Sequence, residues 1–173
     1  ALQGFIALTT LFPLFSEAVL HEKVTVGPAF YNRWIAPLGL VLLGLMGASP
    51  LLGWRKTSGT ALRKAFVFPT AVLLGTLLLH ITLGSRVGFP AVVTSEPIYG
   101  GMLGQILATL TSVMPMCSIA LATFSTAVVL QEYYVATKAR MSAHKESIIT
   151  ALTTAVSKNQ RRYGGYVVHV GIA

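Results

Sequence analysis

Charge is scarce in this chain, and acidic residues are scarcest. Among its 173 residues 10% are charged and 54% hydrophobic, and 5 acids stand against 13 lysines and arginines. Soluble domains carry about 25% charged residues, so water is excluded as the main solvent. A nucleic-acid-binding protein would align its basic residues in a stripe with stacking aromatics. Here they form short clusters between long apolar runs, so we expect membrane lipid, and no nucleic acid, around this chain.

Cysteine is represented by Cys117 alone, which excludes an internal disulfide framework and any multi-cysteine metal site. Catalytic patterns are also missing: no helical pair of acids, no glycine-rich phosphate loop and no nucleophile elbow. We assign no catalytic residue and do not expect the chain to be catalytic alone. A starting methionine and a basic n-region are absent as well. Because the chain opens and closes within apolar stretches, we expect it to be a section of a longer protein.

What the chain has instead is a series of apolar runs. About 20 mostly apolar residues cross the hydrocarbon core of a bilayer. We predict an all-α fold, a polytopic transmembrane helix bundle with four to five spans in one integral-membrane domain, 1–173. The predicted segments are the end of a span at 1–15, complete spans at 35–52, 65–83 and 100–130, and the start of a span at 163–173. Trp34 and Trp54 bracket the second segment and predict one indole at each interface.

The basic residues predict the orientation of these spans. Ten lysines and arginines fall in segments 53–64 and 131–162, against three in 16–34 and 84–99. Because cytoplasmic segments carry the excess of basic residues, the first pair is predicted to be cytoplasmic and the second pair periplasmic.

The cytoplasmic segment 131–162 contains an amphipathic stretch. Ile148, Ile149, Leu152 and Val156 fall on one helical stripe, with lysines off it. This pattern indicates either a helix on the inner membrane surface or a connector packed against other cytoplasmic segments.

Four histidines remain as candidate functional residues. His21 and His144 lie in the predicted polar segments and are expected at the surface. His80 and His169 lie inside predicted spans, where ionisable residues usually face the bundle interior. Hydrogen bonding across helices and a ligand or proton-relay role remain alternatives for both. Counting 1.5 Å per residue from the cytoplasmic side, His80 lies roughly 22 Å deep and His169 roughly 10 Å. Two ligands of one haem need similar depths, so a haem on His169 requires a second ligand outside this chain.

Several separated sequence blocks carry a specific resemblance. The blocks are Leu8-Thr9-Thr10-Leu11-Phe12-Pro13-Leu14 with Ser16-Glu17-Ala18, Lys23 to Pro28 with Phe30-Tyr31-Asn32, Gly47, Pro50, Trp54-Arg55, Leu130-Gln131-Glu132, and Arg161-Arg162-Tyr163-Gly164-Gly165-Tyr166-Val167-Val168-His169-Val170-Gly171. In sequence and in order, along essentially the whole chain, they resemble the haem-lyase subunit of bacterial System I cytochrome c maturation, the CcmF/NrfE family.

The resemblance implies a multi-pass protein of the bacterial inner membrane that handles haem. Such proteins take haem from a haem chaperone and, with other maturation subunits, promote its covalent attachment to apocytochrome c. They also hold a b-type haem within the membrane, and His169 stands at the position of one axial ligand to its iron. Phe30 and Tyr31 stand in the family's outer loop, where a turn at Val26-Gly27-Pro28 is expected to present them at the membrane surface for packing or partner contact.

The chain departs from the family pattern in what it omits. The tryptophan-rich segment that contacts incoming haem, its flanking histidines and the other b-haem histidine are all absent. The chain therefore resembles the part just downstream of that segment. An alternative interpretation is a fragment of a secondary transporter or export permease, in which His80 or His169 serves a proton or substrate pathway.

Overall fold

A computed structural model describes residues 2–21, 27–52, 59–95, 97 and 100–173. These contain six α-helices and no strand: α1 (Leu2–Leu20), α2 (Pro28–Ala48), α3 (Gly59–Leu83), α4 (Gly101–His144), α5 (Ile148–Lys158) and α6 (Gln160–Ile172). Two short 3-10 turns, Ser49–Leu51 and Gly84–Val87, follow α2 and α3. The predicted all-α fold is confirmed. Trp54, Lys23 and Val26 lie outside the described residues.

Three of these helices are long and apolar enough to cross a membrane, judged by length and composition: Phe30–Leu51, Gly59–Val87 and Gly101–His144. Shorter apolar helical stretches are Ile6–Val19 and Ile148–Lys158. The apolar window of α3 is 6% buried, against 39% for α4. In water such exposure of leucine and valine would be unstable, whereas lipid tails solvate it at no cost. The chain is an all-α membrane helix bundle in which α4 is the main packing helix.

Helices extend beyond the predicted spans at several ends. The second predicted span begins at residue 35, whereas α2 begins at Pro28, a residue well suited to the first helical position. The third begins at 65 and α3 at Gly59, so Arg63 and Lys64 are helical. The fourth ends at 130, whereas α4 continues to His144. Apolar length fixes how much helix lies in lipid, but the backbone hydrogen bonds continue into water. The membrane boundaries and the orientation remain predictions.

The chain divides into two compact units, of which the larger contains residues 42–91 and 116–173. Its first core joins Phe124 and Val128 of α4 to Leu51, with Phe66 and Leu73 of α3 packed alongside. Gly47 at the end of α2 lies so close to α4 that an added Cβ would meet Phe124 Cδ1 at 3.0 Å and collide with the Ser125 hydroxyl. Glycine is therefore required at this helix crossing.

A second core in the larger unit joins α4 to the two C-terminal helices. Val129 of α4 packs with Ala155 of α5 and with Tyr163 and Tyr166 of α6. Ser147 caps α5 by accepting a hydrogen bond from the Thr150 amide at 3.3 Å. Asn159 then separates α5 from α6 with a non-helical backbone. Together these contacts anchor the base of α6, the helix that carries His169.

The smaller unit contains residues 1–41 and 92–115. Helices α1 and α2 approach each other where the Thr10 hydroxyl and the Tyr31 hydroxyl lie 3.5 Å apart. The segment before α4 is tied to it by the Val93 amide, which donates to the Ser112 carbonyl at 2.9 Å. Each contact pairs polar groups whose burial without a hydrogen bond would cost free energy in an apolar environment.

Candidate functional site

His169 lies on α6 with its ring partly buried. Its Nδ1 is 2.6 Å from the Gly165 carbonyl oxygen, one helical turn earlier. A carbonyl oxygen can only accept, so Nδ1 carries a proton, and the neutral tautomer that makes this bond has its lone pair on Nε2. This is the arrangement found in metal-binding histidines, in which a backbone carbonyl fixes the tautomer and orients the ring. Nε2 is on the ring edge that faces away from the helix backbone.

The backbone of α6 is open one turn before His169, and its valines are exposed. A Cβ added at Gly164 or Gly165 would meet nothing within 4 Å in the part of the chain that the structure describes. Val167 and Val168 are 63% and 58% exposed. Across the described ranges there is no group of three or more histidine, cysteine or acidic residues able to hold a metal ion. Among the described residues His169 therefore offers a single nitrogen donor, whereas a metal ion held by protein side chains alone needs several.

His80, the other histidine within a predicted span, is in a closed environment. It lies at the end of α3 with 8% of its surface exposed, and its Nε2 is 2.9 Å from the Phe89 carbonyl oxygen. By the same argument Nε2 donates and Nδ1 keeps the lone pair. Nδ1 is buried and finds no hydrogen-bond partner among the described residues. The hydrogen bond crosses from α3 to the segment after the Gly84–Val87 turn, and it gives His80 a structural role there.

A polar network that the sequence analysis missed supports the base of α6. Arg162 donates through Nε to the Tyr166 hydroxyl at 2.7 Å, and through Nη2 to the Glu132 carboxylate. The Tyr166 hydroxyl also donates to Glu132, at 3.2 Å. Bonding to Tyr166, and secondarily the nearby Glu132 charge, raises the pKa of the Arg162 guanidinium. With these partners Arg162 is engaged within the protein.

Three tyrosines pack around this network. The Tyr133 and Tyr163 ring centroids are 4.8 Å apart, and those of Tyr163 and Tyr166 are 5.8 Å apart at 89°. Glu132 and the arginine–tyrosine run belong to two of the separated sequence blocks quoted above, 30 residues apart. Both blocks belong to the pattern of the resembled family, and this was a signal that they act together. Their spacing in the sequence does not predict that they are in contact. The network sets the position of α6 against α4, and hence of His169.

Phe30 and Tyr31 lie in the first turn of α2, where a loop was expected. Their amides donate to the Gly27 carbonyl at 3.0 and 3.4 Å. The two rings meet edge to face with centroids 5.9 Å apart, and Phe30 also lies 6.5 Å from the Trp34 ring. Both side chains are partly buried, so these rings form a small aromatic cluster at the start of a helix. Contact with a partner remains a prediction.

Comparison with known proteins relates this helical membrane protein to one curated sequence. Over 85 residues, 49% of its length, the chain is 31% identical to the cytochrome c-type biogenesis protein CcmF of Pseudomonas fluorescens. The matched stretch spans 12% of that relative. No protein-family model matches, and no solved structure matches. The chain is thus related to a cytochrome c biogenesis protein over about half of its length.

Proposed function

We propose that this chain is a membrane-embedded section of a bacterial haem lyase of System I cytochrome c maturation. In this proposal it lies in the inner membrane and contributes an axial ligand to a b-type haem. Support comes from the relation to CcmF, the apolar helices and, above all, the His169 tautomer. With Nδ1–H tied to Gly165, the Nε2 lone pair is available without any rearrangement. The second ligand belongs to a part of the protein outside this chain.

Each neighbouring group has a role in this site. Gly165 fixes the ring through its carbonyl, and the glycines at 164 and 165 leave the helix surface free of side chains. The Glu132–Arg162–Tyr166 network holds α6 in register with α4. A b-type haem held there would supply a one-electron redox centre within the membrane.

The partners proposed for the whole protein follow from the resemblance. They are a haem chaperone, apocytochrome c and other maturation subunits, with covalent haem attachment as the supported reaction. Phe30 and Tyr31 are the proposed partner-contact residues. Replacing both with alanine is expected to lower cytochrome c maturation while b-haem content stays unchanged, with the exposed Phe15→Ala as a matched aromatic control. Parallel loss of haem and maturation would assign the pair a structural role instead.

Visible spectroscopy of the purified full-length protein tests the ligand assignment. His169→Ala is expected to lose the six-coordinate low-spin spectrum, and added imidazole is expected to restore part of it. His80→Ala and His144→Ala serve as controls and are expected to keep that spectrum. An unaltered spectrum in His169→Ala, at matched protein levels, would exclude this residue as the ligand. A full-length protein without haem would favour the transporter interpretation.

A further inference from the structure

A groove of about 700 Å³ runs between α3 and α4 in the larger unit. Its walls include Phe68 of α3 and Leu130, Tyr134 and Val135 of α4. The Gln131 side-chain amide donates to the Ala65 carbonyl at 2.9 Å and joins the two helices at this level. Phe68, Leu130 and Val135 are each more than half exposed. The groove is therefore apolar, and the hydrogen bond between Gln131 and Ala65 fixes the distance between its two helices.

The charges at the groove are unbalanced in favour of the positive sign. Lys64 lines it and is exposed, and no carboxylate among residues 2–21, 27–52, 59–95 and 100–173 forms an ion pair with it. Glu132 also lines the groove, but its carboxylate is bonded to Arg162 and Tyr166. Lys138 adds a second cation next to the groove, with its Nζ 5.7 Å from the ring centroid of Tyr134, which lines the groove. The Lys64 ammonium complements an anionic headgroup, and the apolar groove beside it complements the acyl chain attached to that headgroup.

We propose that this groove binds one anionic phospholipid of the cytoplasmic leaflet. Lys64 and Lys138 contact its phosphate, and an acyl chain lies along Phe68, Leu130 and Val135. Basic sites between membrane helices on the cytoplasmic side attract anionic headgroups, and lysine binds phosphate as a point charge. Lipid is favoured over another helix of the same protein because a packed apolar helix would bury the Lys64 ammonium without a counter-charge. This site is independent of His169 and of the haem assignment.

Native mass spectrometry of the purified full-length protein measures this binding. Added phosphatidylglycerol is expected to be retained in preference to phosphatidylcholine at equal concentration. Lys64→Gln and Lys138→Gln are each expected to weaken phosphatidylglycerol retention about fivefold, the factor for one basic residue near a membrane surface. Lys64→Arg is expected to retain most of the binding. Lys145→Gln, which removes an exposed charge beyond the end of α4, is the matched control and is expected to have no effect.

A photo-reactive phenylalanine analogue at position 130 identifies the occupant in cells without disturbing the lysines. An adduct with the mass of an anionic phospholipid supports the proposal. An adduct with another segment of the protein would show that a helix fills the groove and would overturn it. Equal retention of phosphatidylglycerol and phosphatidylcholine would overturn it too, because the groove would then hold bulk lipid without selection. An equal loss of phosphatidylglycerol retention in the Lys64→Gln and Lys145→Gln proteins would also overturn the proposal.

Discussion

The surroundings of His80 and His169 differ in which ring nitrogen is tied to the backbone. His80 uses Nε2 to reach the carbonyl of Phe89, nine residues later, and its ring is buried. His169 uses Nδ1 to reach the carbonyl of Gly165 in its own helix, and its ring is partly exposed. The first hydrogen bond closes a turn, whereas the second orients a free nitrogen. The two histidines thus lie in different surroundings, and location in a predicted span does not distinguish them.

The largest expected difference between the two histidines is in stability. His80→Ala removes a buried ring and leaves the Phe89 carbonyl without its donor, which is expected to cost roughly 2–4 kcal/mol. His169→Ala removes a bond within one helix and is expected to cost under about 1 kcal/mol in haem-free protein. Unfolding of the full-length protein by sodium dodecyl sulfate in mixed micelles measures both. Equal losses would remove the distinction between a structural and a ligand histidine.

A glycine beside each histidine provides a second test of the contrast. A Cβ at Gly84 would collide with the Phe89 carbonyl oxygen and lie 2.5 Å from His80 Cδ2, whereas one at Gly165 would meet nothing within 4 Å. Gly84→Ala is expected to destabilise by about 1–3 kcal/mol through overpacking. Gly165→Ala is expected to be neutral or slightly stabilising, since alanine favours helix.

The two glycine variants can be compared in the same micelle titration. Retained haem in Gly165→Ala would also show that one methyl group is tolerated on the open face of α6. A large loss of stability in haem-free Gly165→Ala would mean that α6 is packed more closely than described, and the contrast with Gly84 would fail.

The Glu132–Arg162–Tyr166 network also distinguishes the two histidines. It holds the helix of His169, and the described residues around His80 form no such network. Glu132→Gln keeps the shape of the side chain but removes the charge that Arg162 and Tyr166 share. With Arg162 more than half exposed, the expected loss is only about 1 kcal/mol. Hydrogen exchange should then rise in α6 and stay unchanged at the end of α3. Faster exchange at both places would indicate a global effect.

The smallest expected effect concerns pH at the turn between α4 and α5. Arg140 forms two hydrogen bonds to Glu146, at 3.0 and 2.6 Å, and this pairing lowers the pKa of the Glu146 carboxyl. Because the folded pKa lies below the unfolded one, the stabilisation is complete above the unfolded pKa. It is lost as the pH falls through the folded pKa.

Acidification is therefore expected to lower amide protection, after correction for the intrinsic pH dependence of exchange, in the turn and the first residues of α5. Protection near His80 is expected to stay unchanged. Glu146→Gln is expected to abolish this pH dependence. If the variant keeps the dependence, another group is responsible for it.

The sequence was informative where apolar length decides the structure and uninformative where distant residues meet. The apolar run that ends at Leu83 and the helical spacing of apolar residues around Leu152 predicted helices, which the structure contains as α3 and α5. Helix ends were missed because Pro28 and His144 lie in polar sequence, where hydropathy carries no information about the backbone. The partners of His80 and Arg162 could not be predicted, because neither the backbone carbonyl of Phe89 nor the 30-residue spacing from Glu132 indicates a contact.

Helix α5 packs on the protein through its smallest residues and exposes its largest. Ala151 and Ala155 are buried, whereas Ile148 and Ile149 are 62% and 76% exposed. This burial pattern accords with the predicted helix on the inner membrane surface, in which the exposed isoleucines enter the lipid. Because Asn159 alone separates α5 from α6, a helix held at that surface would also fix the depth at which α6 starts. In that interpretation, inserting residues at Asn159 would uncouple the depth of His169 from the position of α5.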